Sequence, residues 1–409
     1  MTLLIGWLAL CVVGSLLALR RPAWILSAVI VTRVLIPGVA QGIVMPGLHP
    51  SAYLVLVFVL VRLVAAPALL AEALRPSRGG LIAIGLLVVW GFLDVLNPGG
   101  RGALNTLASL FSVFVAPALM FALIRHELVR RPRSEAVLLW PFLAVTLLEV
   151  PLAFWQVETG EAIVWQSVYQ RMWWWGSVGR GLGTTGHGLQ LALLFVAAIA
   201  LSARVRSIAV RFVLAGAYIL GIFYTDGRLA LLLAIPAVGF LIFYSLRSWF
   251  RTFAFSGVIA LGAWIGLESE AGQKLLEKFT DDGGSNAKRV AAFDWAFGHL
   301  GEFLVVGYPG NRDTRGVGVV NSSLENGFLM AALSYGAVFA VGLLALYVAY
   351  ILKGFSALDR AFPAALAALL VAVGMNGSSS FMANALEGYV FWYALAFALA
   401  RPGAAGGTT

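Results

Sequence analysis

The sequence predicts an all-α polytopic integral membrane protein of about 12–14 transmembrane helices, with one long extracytoplasmic loop that holds short helices of its own. Three observations predict it. Hydrophobic residues make up 61% of the chain and charged residues 11%, and the mean hydropathy of +0.91 lies far above that of a soluble globular domain. Apolar stretches near the length of a bilayer crossing, about 20 residues, follow one another along almost the whole chain. The charges between them alternate: sixteen Lys and Arg fall in every second gap, against only Arg101, Arg171, Arg180 and Arg228 in the opposite short gaps. Basic loops stay in the cytoplasm, so the N-terminus and the long loop are expected on the extracytoplasmic side of the membrane and the C-terminus in the cytoplasm.

In lipid, each backbone N–H and C=O must be satisfied within its own segment, so each apolar stretch is read as a helix. The first, 3–19, holds Cys11, the only cysteine, so no intrachain disulfide can form. Its start, MTLLIGWLALC, has no basic residues ahead of the apolar run, which marks a retained span and not a cleaved signal. Spans 23–43 and 51–73 carry Arg33 and Arg62 near their middles. An unpaired cation there is costly, so each is expected to line a substrate groove or to pair with an acid such as Glu149. Spans 81–97, 103–124 and 136–155 follow, and then 155–175, where Trp155, Trp165, Tyr169, Trp173, Trp174 and Trp175 alternate with polar residues. That pattern suits an interfacial helix, or rings that stack on sugar faces. Spans 186–202, 207–224, 228–245 and 250–267 complete a first bundle, residues 1–267. Residues 268–323 form the long polar loop or lid, in which His299 beside Trp295 reads as structural. Spans 324–352, 361–376 and 386–400 make the C-terminal group, 324–400, followed by a cytoplasmic tail, 401–409. The connection 376–388, NGSSSFMANALEG, reads as a small-residue turn that can border a cleft on the outer face.

Several function classes are excluded. The longest cytoplasmic gap, RHELVRRPRSEA, is too short for a nucleotide-binding domain, and neither GxxxxGK[ST] nor a strand-preceded GxGxxG occurs. ATP-driven chemistry is therefore not expected. The net charge of +9 is distributed among the gaps, which implies membrane lipids as partners and no nucleic acid. His187 and His299 lack neighbours at ligand spacing, and Asp281 and Asp282 lack the alternating oxygens of a calcium loop. No metal and no cofactor is expected.

The outward segments are where polar residues gather: Arg180-Gly181-Leu182-Gly183-Thr184-Thr185-Gly186-His187-Gly188-Leu189, Thr225-Asp226-Gly227-Arg228-Leu229-Ala230, Arg289 and Trp295 ahead of Gly307-Tyr308-Pro309-Gly310, and Glu325-Asn326-Gly327-Phe328-Leu329 closing at Gly336. In this order the chain resembles the O-antigen ligase and polymerase superfamily, best over residues 165–345. The family patterns are R-x-x-G-T-x-x-H-P-N, T-x-S-R-G-A, a basic residue with a later tryptophan and G-x-G turn, and H-N-x-x-L-x-x-x-x-x-x-G. The chain departs from them at Gly188-Leu189, which replaces Pro-Asn, and at Glu325, which replaces the histidine proposed as base.

The resemblance implies a GT-C-like membrane glycosyltransferase that needs no metal. It would move a glycan from an undecaprenyl-diphosphate-linked donor to an acceptor hydroxyl on a glycan or lipid, alongside other polysaccharide-assembly proteins. Arg228 and Arg289 are then expected to clamp the leaving diphosphate, because guanidinium offers a permanently charged fork of donors to phosphate oxygens. Glu325 would take the acceptor proton, being a carboxylate charged at neutral pH. Arg180, His187, Asn326, Trp295, Arg33 and Arg62 are the expected substrate-binding residues. Plainer roles stand beside these: Arg228 as an anchor or ion-pair partner of Asp226, Glu325 as a residue favouring a helix start. Glu325 in place of histidine tilts the reading towards a polymerase over a ligase. A lipid-linked oligosaccharide flippase or another transporter is the remaining class; against it stand the lack of an internal repeat and the concentration of polar groups at the outer face.

Overall fold

A computed structural model describes residues 2–38, 47–96, 102–171, 179–245, 249–280, 285–308, 326–356, 361–377 and 386–400. Among them the regular structure is entirely helical. In chain order the helices are α1 (Thr2–Leu17), α2 (Pro22–Leu35), α3 (Pro50–Ala65), α4 (Pro67–Leu74), α5 (Arg78–Phe92), α6 (Ala103–Leu110), α7 (Ala116–Arg130), α8 (Ser134–Thr159) and α9 (Gln166–Tyr169). They continue as α10 (Gly188–Ser202), α11 (Ile208–Tyr224), α12 (Arg228–Ser245), α13 (Trp249–Glu268), α14 (Glu270–Thr280) and α15 (Ser285–Gly298). The last four are α16 (Gly327–Tyr335), α17 (Ala337–Phe355), α18 (Phe362–Met375) and α19 (Leu386–Leu399).

Among the described residues five apolar helical stretches are long enough to cross a membrane, 67–96, 103–130, 134–159, 228–245 and 337–355, and eight shorter ones accompany them. Their outer faces carry large apolar side chains in the open, among them Val64, Leu86, Val89, Leu104, Phe243 and Leu352. Water would oppose such a surface and lipid matches it. The chain is an all-α membrane protein.

Local chemistry explains where the helices depart from the expected spans. The stretch 51–73 is two helices, because Pro67 has no N–H to continue the ladder and Ala66 leaves helical geometry at φ −154°. No single interfacial helix covers 155–175: α8 runs on to Thr159, Gly160 ends it at φ +70°, and only the short α9 follows. Trp173, Trp174 and Trp175 lie outside the described residues. Between α6 and α7 the turn Phe111–Val115 widens to π geometry just before Pro117, another residue without an N–H. Residues 270–303 carry α14, α15 and a short 3₁₀ turn, Leu300–Phe303.

The helices differ in length, and the difference shapes the bundle. At one end, the basic end, Arg204 beyond α10 pairs with Glu135 in the first turn of α8 at 2.8 Å, and Arg125 of α7 donates to the Leu399 carbonyl that ends α19 at 3.1 Å. Arg204 also lies over the Phe397 ring of α19 at 5.6 Å, so α8, α10 and α19 are level there. At 1.5 Å per residue α8 is about 39 Å long, whereas α10 and α19, with 15 and 14 residues, reach only about 22 and 21 Å. At the opposite end α10 and α19 thus stop roughly 17 Å short of α8. The two short helices are also the interior ones, with every residue of α19 and all but Leu189 of α10 buried. We call the opposite end the stepped end.

Packing around α19 is aromatic. Tyr347 stacks on Phe391 at 3.9 Å and 8°, and Trp392 meets Phe121 at 5.2 Å and Tyr350 at 5.1 Å, which locks α7, α17 and α19 together.

Candidate functional site

The segment 179–188 is held by α8. Glu149, fully buried on that helix, accepts from the Thr184 N–H and hydroxyl, both at 2.6 Å, and the same hydroxyl lies 2.8 Å from the Val34 carbonyl. Two turns further, Gln156 accepts from the N–H groups of Leu182 and Gly183 at 2.6 and 2.8 Å and donates back to the Gly183 carbonyl at 2.8 Å. Tyr169 adds a donor to that carbonyl at 3.1 Å. Three glycines let the chain fit: Gly183 is left-handed at φ +54° and lies directly against Glu149 Oε2, Gly186 takes φ +85°, and Gly181 lies on the Ala153 backbone.

This segment delivers Arg180 and His187 to the stepped end. His187 caps α10, its Nδ1 accepting from the Leu189 N–H at 3.2 Å. A methyl group on Gly188 would lie 3.0 Å from both Arg180 Cδ and the Thr225 carbonyl, so Arg180, the start of α10 and the end of α11 meet there. The Gly181 N–H donates to the Tyr224 carbonyl at 2.7 Å, a second tie between the same segments. Asp226 then takes a left-handed turn, φ +57°, Gly227 packs on Ala192, and Arg228 opens α12. Leu229 in turn lies against Gly377, beside Asn376. Asn376 accepts from Asn326 Nδ2 at 3.3 Å, while Asn326 Oδ1 caps α16 by accepting from Phe328 and Leu329 N–H at 3.0 Å each. Arg180, His187, Arg228 and Asn326 are thus brought to one end of the bundle by consecutive contacts.

Beneath them lies a buried polar group that includes Arg33. Gln190, in the first turn of α10, donates to Glu387 Oε2 at 2.9 Å, and both side chains are inaccessible. The Arg33 guanidinium sits over the Tyr389 ring at 5.6 Å, and its Nε and Nη2 are buried without a hydrogen-bond partner. His49 borders this group: its Nε2–H donates to the Ile36 carbonyl at 2.9 Å, and its Nδ1 accepts from Ser51 at 3.2 Å from N–H and 2.8 Å from hydroxyl. Burial, and secondarily the Arg33 charge, hold the imidazole well below its ordinary pKa.

Arg62 is not part of this group. It lies in the last turn of α3 at the basic end, over the Phe58 ring at 5.4 Å, and its charged neighbours are Glu127, Glu72, Arg130 and Arg131. The pairing of Arg33 or Arg62 with Glu149 is likewise absent, because Glu149 is bound to Thr184. Arg289 lies half-buried on α15. That helix is fixed through Trp295, which stacks on His299 at 4.9 Å and meets Tyr308 at 5.3 Å, and Tyr308 N–H donates to the Leu333 carbonyl of α16 at 2.8 Å. Glu325 and the segment 309–325 lie outside the described residues.

Gln190, Tyr389 and Gln156 were not singled out by the sequence, whereas Asn376 and Glu387 lie at the two ends of the 376–388 connection, of which 378–385 are outside the described residues. Glu387 carried the one usable signal, an acid at the head of an apolar stretch, which in a membrane is rare enough to mark a site. Chemically, the stepped end combines guanidinium groups suited to a phosphate, amides suited to sugar hydroxyls and a deep carboxylate. Comparison of the chain with protein-family models and with curated proteins gives no match.

Proposed function

We propose that this chain is a glycosyltransferase of the cell envelope that moves a glycan from an undecaprenyl-diphosphate-linked donor to an acceptor hydroxyl, and that it acts as a polysaccharide polymerase. The reaction takes place at the stepped end, on the outer face of the cytoplasmic membrane as the arginine bias orients the chain. The observation that carries the reading is the meeting of three segments far apart in sequence, 180–188, 225–230 and 326–329, through the Arg180–Gly188–Thr225 contacts and the Leu229–Gly377 and Asn376–Asn326 contacts. They are three of the four segments that carry the family-like patterns.

In this mechanism the acceptor hydroxyl attacks the anomeric carbon, the bond to the lipid diphosphate breaks, and negative charge collects on the leaving oxygens. Arg228 and Arg180 stabilise that charge in a site shielded from bulk water, where fixed donors act most strongly. Arg289 approaches from α15. Glu325 takes the acceptor proton, and Asn326 and Asn376 orient sugar hydroxyls. Buried below, Arg33 and Glu387 set the polarity of the floor.

The test is reconstitution in proteoliposomes with undecaprenyl-diphosphate-linked repeat units as the sole substrate. Longer lipid-linked chains are expected. Arg228→Gln is expected to lower kcat/KM about 100- to 1000-fold, the usual cost of removing one transition-state donor. Glu325→Gln is expected to abolish transfer with donor binding intact. Transfer only after a separate acceptor is added would make the protein a ligase. Movement of unaltered donor to the other leaflet would make it a transporter and end the glycosyltransferase reading.

A further inference from the structure

The basic end holds a cavity of about 780 Å³ between the turn that joins α1 to α2 and the turn that joins α7 to α8. Arg20, Arg21, Arg131 and Arg133 line it, and among the described residues its one acid is Glu127. That acid is already committed: Ser134 donates to Glu127 Oε1 at 2.8 Å, and Arg131 lies 3.6 Å from the same oxygen while also donating to the Arg20 carbonyl. Among the described residues, Arg20, Arg21 and Arg133 have exposed side chains with no ion pair. Three guanidiniums thus share a concave surface with no counter-charge, an arrangement whose mutual repulsion favours a bound anion.

The wall beside the cavity is apolar. Leu16 and Leu17, just before Arg20, are 51% and 80% exposed, and Trp24 on the cavity rim is 60% exposed. Tryptophan at such a place marks the level where acyl chains give way to headgroups. A free phosphate has no use for this wall, whereas a phospholipid matches both halves.

We propose that this cavity binds the headgroup of an anionic phospholipid from the leaflet at the basic end, with its phosphate held by Arg20, Arg21 and Arg133 and its acyl chains laid along α1. The site is separate from the stepped end and independent of the reaction assigned there.

The experiment uses the full-length protein, delipidated in neutral detergent and titrated with phosphatidylglycerol, phosphatidylcholine or inorganic phosphate. Binding is read by native mass spectrometry and by the thermal unfolding midpoint. Saturable binding of one phosphatidylglycerol is expected. Arg20→Gln, Arg21→Gln and Arg133→Gln should each weaken it about fivefold, the typical contribution of one basic residue at an anionic membrane surface, and the triple variant about a hundredfold. Arg75→Gln with Arg78→Gln, at the same end but outside the cavity, should leave it unchanged. If the triple variant does not fold, the three single variants decide. Equal weakening by the Arg75/Arg78 pair, equal binding of phosphatidylcholine, or inorganic phosphate binding as tightly as the lipid would each overturn the proposal.

Discussion

Gly183 and Gly179 have almost the same backbone, φ +54° and +51°, in different surroundings: a side chain on Gly183 would run into Glu149 Oε2, while Gly179 faces open space. Gly179→Ala should therefore cost only the left-handed strain, about 1–2 kcal/mol. Gly183→Ala adds a steric conflict with a buried carboxylate and should cost at least about 3 kcal/mol. Thermal unfolding of the two variants in detergent compares them, and equal losses would mean that Glu149 does not hold this segment. His49 makes a second residue-scale prediction. Its folded pKa is depressed, so the unfolded chain binds the proton more readily and stability rises with pH. The contribution is complete above the unfolded value of about 6.5 and is lost as pH falls below it. The unfolding midpoint should drop between pH 7.5 and 5.5, and His49→Asn should flatten that drop even though it lowers the midpoint at pH 7.5. Arg33 and Arg62 show the limit of reading residues from sequence. Each is one cation within an apolar stretch, yet one joins the polar floor of the stepped end and the other lies among the arginines of the basic end. Only the neighbouring helices distinguish them.

At the scale of the helices, α11 and α13 meet where glycine lies against backbone. A methyl group on Gly262 would lie 2.6 Å from the Gly216 carbonyl oxygen, and one on Gly216 would lie 2.9 Å from the Val258 carbonyl oxygen. In a membrane such small-residue contacts replace the hydrophobic effect as the source of helix association. Gly262→Leu should force the pair apart and cost about 2–3 kcal/mol, seen as a lower unfolding midpoint, whereas the same change at Gly257, which has nothing within 4 Å, should be nearly silent. Apolar stretches were legible as helices because lipid leaves the backbone no alternative. Their ends were less so: the break at Pro67 and the stop at Gly160 have plain chemical causes, but an apolar run on both sides of a proline also suits one kinked span.

For the molecule as a whole, the convergence of distant segments can be tested without any substrate. Cys11 is the only cysteine and is buried. In a Cys11→Ser background, the pair Leu229→Cys and Gly377→Cys should be joined by a short bis-maleimide, whereas Leu229→Cys with Val64→Cys should not. Failure of the first pair would dissolve the candidate site. The sequence showed the parts of this site as four polar segments on one side, but not the Gln190–Glu387 contact, whose members are 197 residues apart. No local pattern encodes such a pairing. The brevity of α10, α18 and α19 has one more consequence, for biogenesis. With 14 or 15 residues each, these helices fall short of the roughly 20 that hold a segment across a bilayer by itself. They are expected to enter the membrane as guests of longer neighbours already in place, α10 beside α8, and α18 and α19 beside α17 and the stretch 103–130 that ends in α7.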